Sequence, residues 1–365
     1  MSKPLDGIRV VEIASIGPGP FAAMMLADHG AEVLRIEKPG GRPVGVALSD
    51  KDPMLRGRSK VELDLKNQED VAKTLALIEK ADVLIEGFRP GVMERLGLSP
   101  KICHALNPAL VYGRMTGWGQ DGPLAQRAGH DINYIAISGA LDAIGTKQSG
   151  PVAPLNLIGD FGGGGMVMAF GISAALLQAK LSGRGTVIDA AMVDGSALLM
   201  MMPYALRAQG VWDGGRGDNL LDGGAAFYDT FKTADQKWIA LGAIEEPFWQ
   251  ELIALLDLQG DVLQHRMKRS YWPQIKALIA EKIYTQPRAY WTKIFEGSDA
   301  CFAPVLTMEE APDHPHNKHR KIFQTIDGVV QPAPAPRFDG ETPKALKTDL
   351  KVVDVNLILE KWHND

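Results

Sequence analysis

Residues 7–39 read GIRVVEIASIGPGPFAAMMLADHGAEVLRIEKP, and the change of period inside this stretch decides the fold. The run at 7–14, GIRVVEIA, is β-branched and apolar, the composition of a buried strand. Residues 19–29 are rich in Ala, Met and Leu and stop at Gly30, the pattern of a helix with a glycine end. AEVLRIE at 31–37 returns to strand. Outward from this unit the alternation continues, with strands at 59–65, 82–88 and 109–116 and a helix over 68–80. A short helical pair precedes the strand at 109–116. Strands separated by helices of this length predict a parallel sheet covered on both faces, a doubly wound α/β domain.

A long helix over 161–179, a strand at 186–191 and a helix through Leu206 complete this block, which is expected to span 1–208. Glycine-rich 209–225 reads as a linker. Beyond it, strands at 227–233 and 237–243 flank Ala-Asp-Gln as a hairpin. Amphipathic helices at 246–256, 271–282 and 287–297 and a strand at 302–306 predict a smaller α+β domain over 226–310. The remainder, 311–365, holds a proline-rich stretch at 332–336 and a final helix near 355–362, a tail that needs a surface to pack on.

The 365 residues are 45% hydrophobic and 23% charged, which excludes a disordered or collagenous chain. Net charge is -5, so nucleic acid and anionic membranes are not expected partners. Cys103 and Cys301 stand far apart without ligand spacing, as reduced thiols of a cytoplasmic protein would. MSKPLDGIRVVEI lacks a charged-then-apolar leader, so no signal peptide is expected. The longest membrane-like stretch, 166–177, falls short of the roughly 20 residues a bilayer span requires.

Gly17-Pro-Gly-Pro-Phe-Ala22 fits the permissive dinucleotide pattern, with Glu37 about 20 residues on. Pro18 and Pro20 lack the N–H groups that would cradle a pyrophosphate, so NAD is not expected. Basic residues gather early at Lys38, Arg42, Arg56, Arg58, Lys60 and Lys66, then at Arg89 and Arg95. Arg89 directly follows a strand and would stand at the sheet's ligand crevice; the cluster reads as a site for a phosphate-bearing ligand or as solvated surface charge. His130, at a glycine turn, has the titration range of a general base, or is a satisfied structural histidine. Asp160 opens an apolar helix beside Gly162–Gly165; the glycines would let backbone approach a ligand, and the helix dipole would keep the carboxylate ionised. His314, His316 and His319 lack metal-ligand spacing, so no metal is expected. Ser15, Ser138 and Ser196 lie in no nucleophile elbow.

The stretch at 7–39 together with ADVLIEGFRPGVMERLGL at 81–98, RMTGWGQDGP at 114–123, AGHDINY at 128–134, PLNLIGDFGGG at 154–164, VIDAAMVDGS, LLDGGAAFYDT, LGAIE and PAPRF resembles the family III CoA-transferase superfamily. AGHDINY combined with LIGDFGGG is similar to its racemase branch. The resemblance implies a large Rossmann-like domain, a small α+β domain and a tail returning to the large one. It also implies an interlocked homodimer with active sites at the subunit interface.

By position, His130 and Asp160 match the family's catalytic pair, and Glu245 an acidic neighbour contributed by the partner chain. Lys38, Leu63, Asp64, Leu65, Lys66, Gly87, Phe88, Arg89, Arg95, Gly129, Asp131, Ile132, Asn133 and Tyr134 fall where the family contacts coenzyme A. Position 38 is often Arg there, and Lys38 replaces a planar fork with a point charge. The implied activity is inversion at C2 of a 2-methylacyl-CoA by proton transfer through an enolate, with no cofactor beyond the CoA moiety. Met166 and the methionines at 200–202 offer an adaptable apolar wall for the acyl tail, or core packing. The runner-up is a CoA-transferase working through an Asp160 acyl anhydride. A CoA-binding protein without catalysis would leave the pair of bases unexplained.

Overall fold

The computed structural model describes residues 3–40 and 52–364. The chain divides into two compact units, the first Met1–Ser138, Leu155–Leu199 and Pro315–Asp365, the second Gly139–Pro154 and Met200–His314.

The first unit is built on six parallel strands, β1 (Arg9–Ile13), β2 (Glu32–Glu37), β3 (Arg58–Glu62), β4 (Val83–Glu86), β5 (Val111–Thr116) and β6 (Val187–Ala191), in the order β3-β2-β1-β4-β5-β6. The expected doubly wound α/β sheet is thus present. Alternate residues of each strand feed opposite layers. Val10, Val33, Val83 and Ile85 pack with Ala22, Ala23 and Leu26 of α1 (Pro18–Asp28), while Val11, Leu34, Leu84 and Tyr112 pack with Leu77 and Ile78 of α2 (Gln68–Lys80). The order turns at β1 and β4, so the crevice beyond their carboxyl ends is the ligand position of this topology.

The helix expected over 161–179 is longer and differently wound. Leu157–Met166 is a π-helix that runs on into an α-helix, Val167–Ser182. Together these 26 residues are long and apolar enough to cross a membrane, longer than the stretch read from sequence. The α-helical part instead carries Met168, Ile172, Ala175, Leu176 and Ala179 into the core of the unit.

The glycines permit this packing. A Cβ on Gly164 would fall 2.9 Å from Pro18 Cβ, one on Gly165 2.6 Å from Phe21, and one on Gly163 2.6 Å from the Ser196 nitrogen. The backbone that approaches closely is therefore met by protein, not by a ligand as the sequence suggested. The Ser196 segment is itself helical (Met192–Leu199).

The tail returns to this unit. Val329–Pro332 pairs with Phe323–Ile326, and the residues after it lie along the edge of β3, with Lys60 N–H donating to Lys351 O at 3.0 Å and Val353 N–H to Lys60 O at 2.9 Å. The terminal helix, Val355–Asn364, buries Trp362 to 2% exposure beside α2, and the Arg9 guanidinium donates to the Trp362 carbonyl at 2.9 Å.

The second unit holds an antiparallel sheet of β7 (Tyr228–Lys232), β8 (Trp238–Gly242) and β9 (Phe302–Val305), with β8 central. Helices Glu246–Leu255, Trp272–Tyr284 and Arg288–Ile294 cover it around Phe227, Trp249, Trp272 and Trp291. Its limits differ from the expected 226–310. Gly139–Pro154, assigned from sequence to the large domain, forms a small hairpin whose Asp142 pairs with Arg216 and whose Lys147 lies 3.1 Å from Asp218. The stretch at 209–225 is part of this unit rather than a linker. Asn219 is fully buried, and the Asp222 carboxylate accepts from Gly217, Asn219 and Gly224 N–H.

Candidate active site

Beyond β1 the loop Ser15-Ile16-Gly17 and beyond β4 the loop Gly87-Phe88-Arg89 form the two lips of the crevice. A buried ion network fixes the first lip from below. Arg58 Nε lies 2.6 Å from Glu12 Oε2 and Arg35 NH1 2.6 Å from Glu12 Oε1, with side chains no more than 2% exposed, and Arg35 also donates to the Ser15 carbonyl at 3.3 Å. Arg58 donates further to the Pro20 and Met54 carbonyls. Three members of the early basic cluster are therefore spent on structure: Arg58 on Glu12, Arg56 on Asp28 at 2.6 Å, and Lys60 on Glu37 at 3.1 Å. Arg42 lies outside the described residues.

Glu86, 1% exposed, fixes the second lip. It accepts from Phe88 N–H at 2.7 Å and from Arg114 Nε at 3.0 Å, and Arg114 reaches on to Glu94 at 3.0 Å. Burial outweighs these contacts and pushes the Glu86 carboxyl up to about 7. The folded chain thus holds this proton more tightly than the unfolded chain does. Its contribution to stability is greatest below the ordinary Glu range and fades as pH rises from about 4.5 to about 7. Thermal unfolding of wild type and Glu86→Gln across pH 5 to 8 should show the wild-type Tm falling by about 2–4 °C more than the variant's. Parallel curves for the two proteins would disprove this.

Two cavities open on either side of the lips and share Ser15, Ile16, Gly87 and Phe88. One, about 530 Å³, is lined by Lys38, Leu63, Asp64, Leu65 and Lys66. These residues, read from sequence as coenzyme A contacts, are brought together with Gly87 and Phe88. The other, about 520 Å³, is lined by Arg89, Gly129, His130, Tyr134 and Asp160. Apolar walls of this second cavity come from Met54, Met115, Trp118, Phe161 and Met192, none of them singled out by sequence because nothing in their local pattern separates them from core residues. Met166, Met201 and Met202 line neither cavity and are exposed, so the core-packing reading fails for them.

His130 is the N-cap of the short helix Asp131–Ile137, where its N–H donates to Asn133 Oδ1 at 3.0 Å. Its imidazole is thereby left on the cavity wall, exposed. Tyr134, one turn on, donates to the Gly129 carbonyl and meets Trp118 edge-on at 4.7 Å between ring centroids. Asp160 sits in the first turn of the π-helix, half-buried, with Asn156 Nδ2 donating to its Oδ2 at 3.1 Å. Gly17 borders it closely. At a φ of +70° it takes a conformation that favours glycine, and a Cβ there would stand 3.2 Å from Asp160 Oδ2.

The helix dipole read from sequence does not dominate the balance at Asp160. Burial and the neighbouring Asp131 charge hold its carboxyl above the ordinary range, against the opposing Asn156 hydrogen bond and His130. A cavity wall carrying one imidazole and one carboxyl of raised proton affinity can exchange protons with a bound carbon acid.

The other expected site residues are placed differently. Asp131 is buried and its carboxylate accepts the Asp160 N–H at 2.7 Å; it lines neither cavity. Ile132, Asn133 and Arg95 are exposed and also absent from both walls. Glu245 belongs to the second unit, exposed at the N-cap of the helix Glu246–Leu255.

A family model described as CoA-transferase family III matches residues 5–349 of the chain. The chain is 46% identical to the α-methylacyl-CoA racemase of Homo sapiens, across 91% of its own length and 86% of that protein. With the enzyme of the same name from Mus musculus it shares 45% identity, over 91% and 85% of the respective lengths. A CAIB/BAIF family protein from Brucella suis superposes with a TM-score of 0.82 at 24% identity, covering 99% of this chain and 100% of that one, a likeness of fold.

Proposed function

The chain belongs to the family III CoA-transferases, and from that membership we propose that it is an α-methylacyl-CoA racemase, interconverting (2R)- and (2S)-2-methylacyl-CoA thioesters. The observation that carries the reading is that His130 and Asp160 line one cavity whose neighbour, across shared lips, is lined by Lys38 and Lys66.

In this mechanism the thioester's C2 lies between the two bases. With His130 neutral and Asp160 protonated, the imidazole takes the C2 proton, the bonding pair moves into the thioester carbonyl as an enolate, and Asp160 delivers its proton to the opposite face. The products are the inverted thioester, an imidazolium and a carboxylate. The other enantiomer runs the same steps in reverse. A carboxyl held above its ordinary range by burial and the Asp131 charge suits a group that must both give and take a proton. The phosphates of coenzyme A are assigned to Lys38, Lys66 and Arg89, and their binding energy orients the acyl end. The apolar walls from Met54, Met115 and Met192 adapt to the acyl group.

The assembly proposed is an interlocked homodimer in which Glu245 of one chain neighbours the pair of the other. An apolar stripe supports it: Met166, Phe170, Leu177 and Leu181 recur on one face of Val167–Ser182 and the residue before it, with Phe170 75% and Leu181 81% exposed. Such a stripe suits a subunit interface. The cytoplasm is the proposed location, in keeping with a buried Cys103 and an exposed Cys301 that are both unpaired.

The reading is tested by incubating the purified protein with one enantiomer of a 2-methylacyl-CoA in deuterium oxide. Deuterium at C2 with both enantiomers appearing is the expected result. No wash-in, with acyl exchange onto added free carboxylate, would replace the racemase by a transferase.

A further inference from the structure

Asp131 occupies an unusual position for a charged residue. It is 6% exposed, no lysine or arginine is paired with it among the described residues, and one of its oxygens, Oδ1, is buried without a hydrogen-bond partner. Its other oxygen accepts the backbone N–H of Asp160 at 2.7 Å. A buried carboxylate with an unsatisfied oxygen is costly, and its retention asks for a use.

The local geometry is arranged around this contact. A Cβ on Gly159 would fall 2.5 Å from Asp131 Oδ2, so glycine at 159 is what lets the π-helix come this near. Asp131 is also the first residue of the helix Asp131–Ile137, covalently next to His130 at its N-cap. One carboxylate therefore ties the peptide of Asp160 to the residue that follows His130. The two groups stand on separate elements, and this hydrogen bond joins those elements directly at the cavity.

We propose that Asp131 is the positioning residue of the proton-transfer pair, holding Asp160 at a fixed spacing from His130. The inference rests on the racemase reading of those two residues. Asp131 touches no substrate in this scheme. It also acts on Asp160 through its charge. The charged and titratable groups that face Asp160 are Asp131 and His130, with Tyr134 and Arg89 on the same wall. The Asp131 carboxylate is the negative one among them that favours the protonated form of Asp160.

Two substitutions separate geometry from charge. Asp131→Asn keeps an oxygen acceptor for the Asp160 N–H and removes the charge. Asp131→Ala removes both. For Asp131→Ala, kcat for racemisation is expected to fall about 100-fold, the scale of a misplacement near 1 Å, with KM for the thioester within about threefold of wild type. Asp131→Asn should keep kcat within about tenfold, and the limb of its pH profile set by Asp160 should move to lower pH.

A second readout does not depend on turnover: the titration of the Asp160 carboxyl, followed by carbon-13 NMR in the ligand-free protein, should shift to lower pH in Asp131→Asn. An unmoved titration, or a folded Asp131→Ala with wild-type kcat, would overturn the proposal. A raised KM at unchanged kcat would do so too, by making Asp131 a substrate contact. Should Asp131→Ala not fold, the NMR titration of Asp131→Asn decides alone. Absence of α-deuteration in wild type would count against the racemase reading, and the NMR titration would still judge Asp131.

Discussion

In deuterium oxide, His130→Ala and Asp160→Ala are each expected to lose racemisation by about 10³-fold or more, the scale set by removing a positioned general acid or base. The two losses should differ in kind. Each variant keeps one base, so it can still remove the C2 proton from the enantiomer whose proton faces that base, without delivery from the other side. Residual wash-in should therefore be confined to one enantiomer in His130→Ala and to the opposite one in Asp160→Ala, with configuration retained. The double variant should lose little more racemisation than either single one, because the two groups act as a unit. Equal residual exchange of both enantiomers in either variant would sink the two-base scheme. Loss in Asp160→Ala alone, with His130→Ala unaffected, would point to nucleophilic chemistry at Asp160.

The second large effect is on folding. Gly195, in Met192–Leu199, faces the π-helix so closely that a Cβ added there would lie 1.9 Å from the Gly163 carbonyl oxygen and 2.6 Å from its carbon. Both obstacles are backbone, which no rotamer change can relieve. Gly195→Ala should therefore force Met192–Leu199 away from the π-helix and cost about 3 kcal/mol or more, at the upper end of overpacking penalties. In a chain of this size that lowers Tm by roughly 4 °C or more, measurable by calorimetry. Gly7→Ala makes the comparison, since nothing lies within 4 Å of a Cβ there and only the backbone strain of its φ of +82° remains. A Gly195→Ala protein with wild-type Tm would disprove the packing argument.

Much of this was legible in the sequence, for identifiable reasons. The six strands of the parallel sheet were expected within a few residues of their observed bounds, most clearly β1 and β4, whose buried residues form short apolar runs. The helix expected over 68–80 is found at Gln68–Lys80, with Asn67 Oδ1 accepting the Glu69 N–H at 2.8 Å as its cap. Less was readable where side chains meet across long separations. Arg58 and Lys60 carry the same local signal as Lys38 and Lys66, and only the fold reveals that Glu12 and Glu37 consume the first two. The π-helix was hidden in sequence, and the close approach of Gly163, Gly164 and Gly165 is made to Ser196, Pro18 and Phe21, residues far off along the chain. Asp131 was read as a ligand contact from its place in AGHDINY; its burial beneath Asp160 depends on Gly159, 28 residues later.

The docking of Trp362 between α2 and the Arg9 strand also sets a timetable. During synthesis the second unit has all its residues once His314 has emerged, whereas the first must wait for the terminal helix to seal one face of its sheet. Until then β3 keeps a bare edge and α2 an uncovered flank. A nascent chain halted near residue 314 would be a finished small unit tethered to an unfinished large one, the stage at which chaperone capture would matter most.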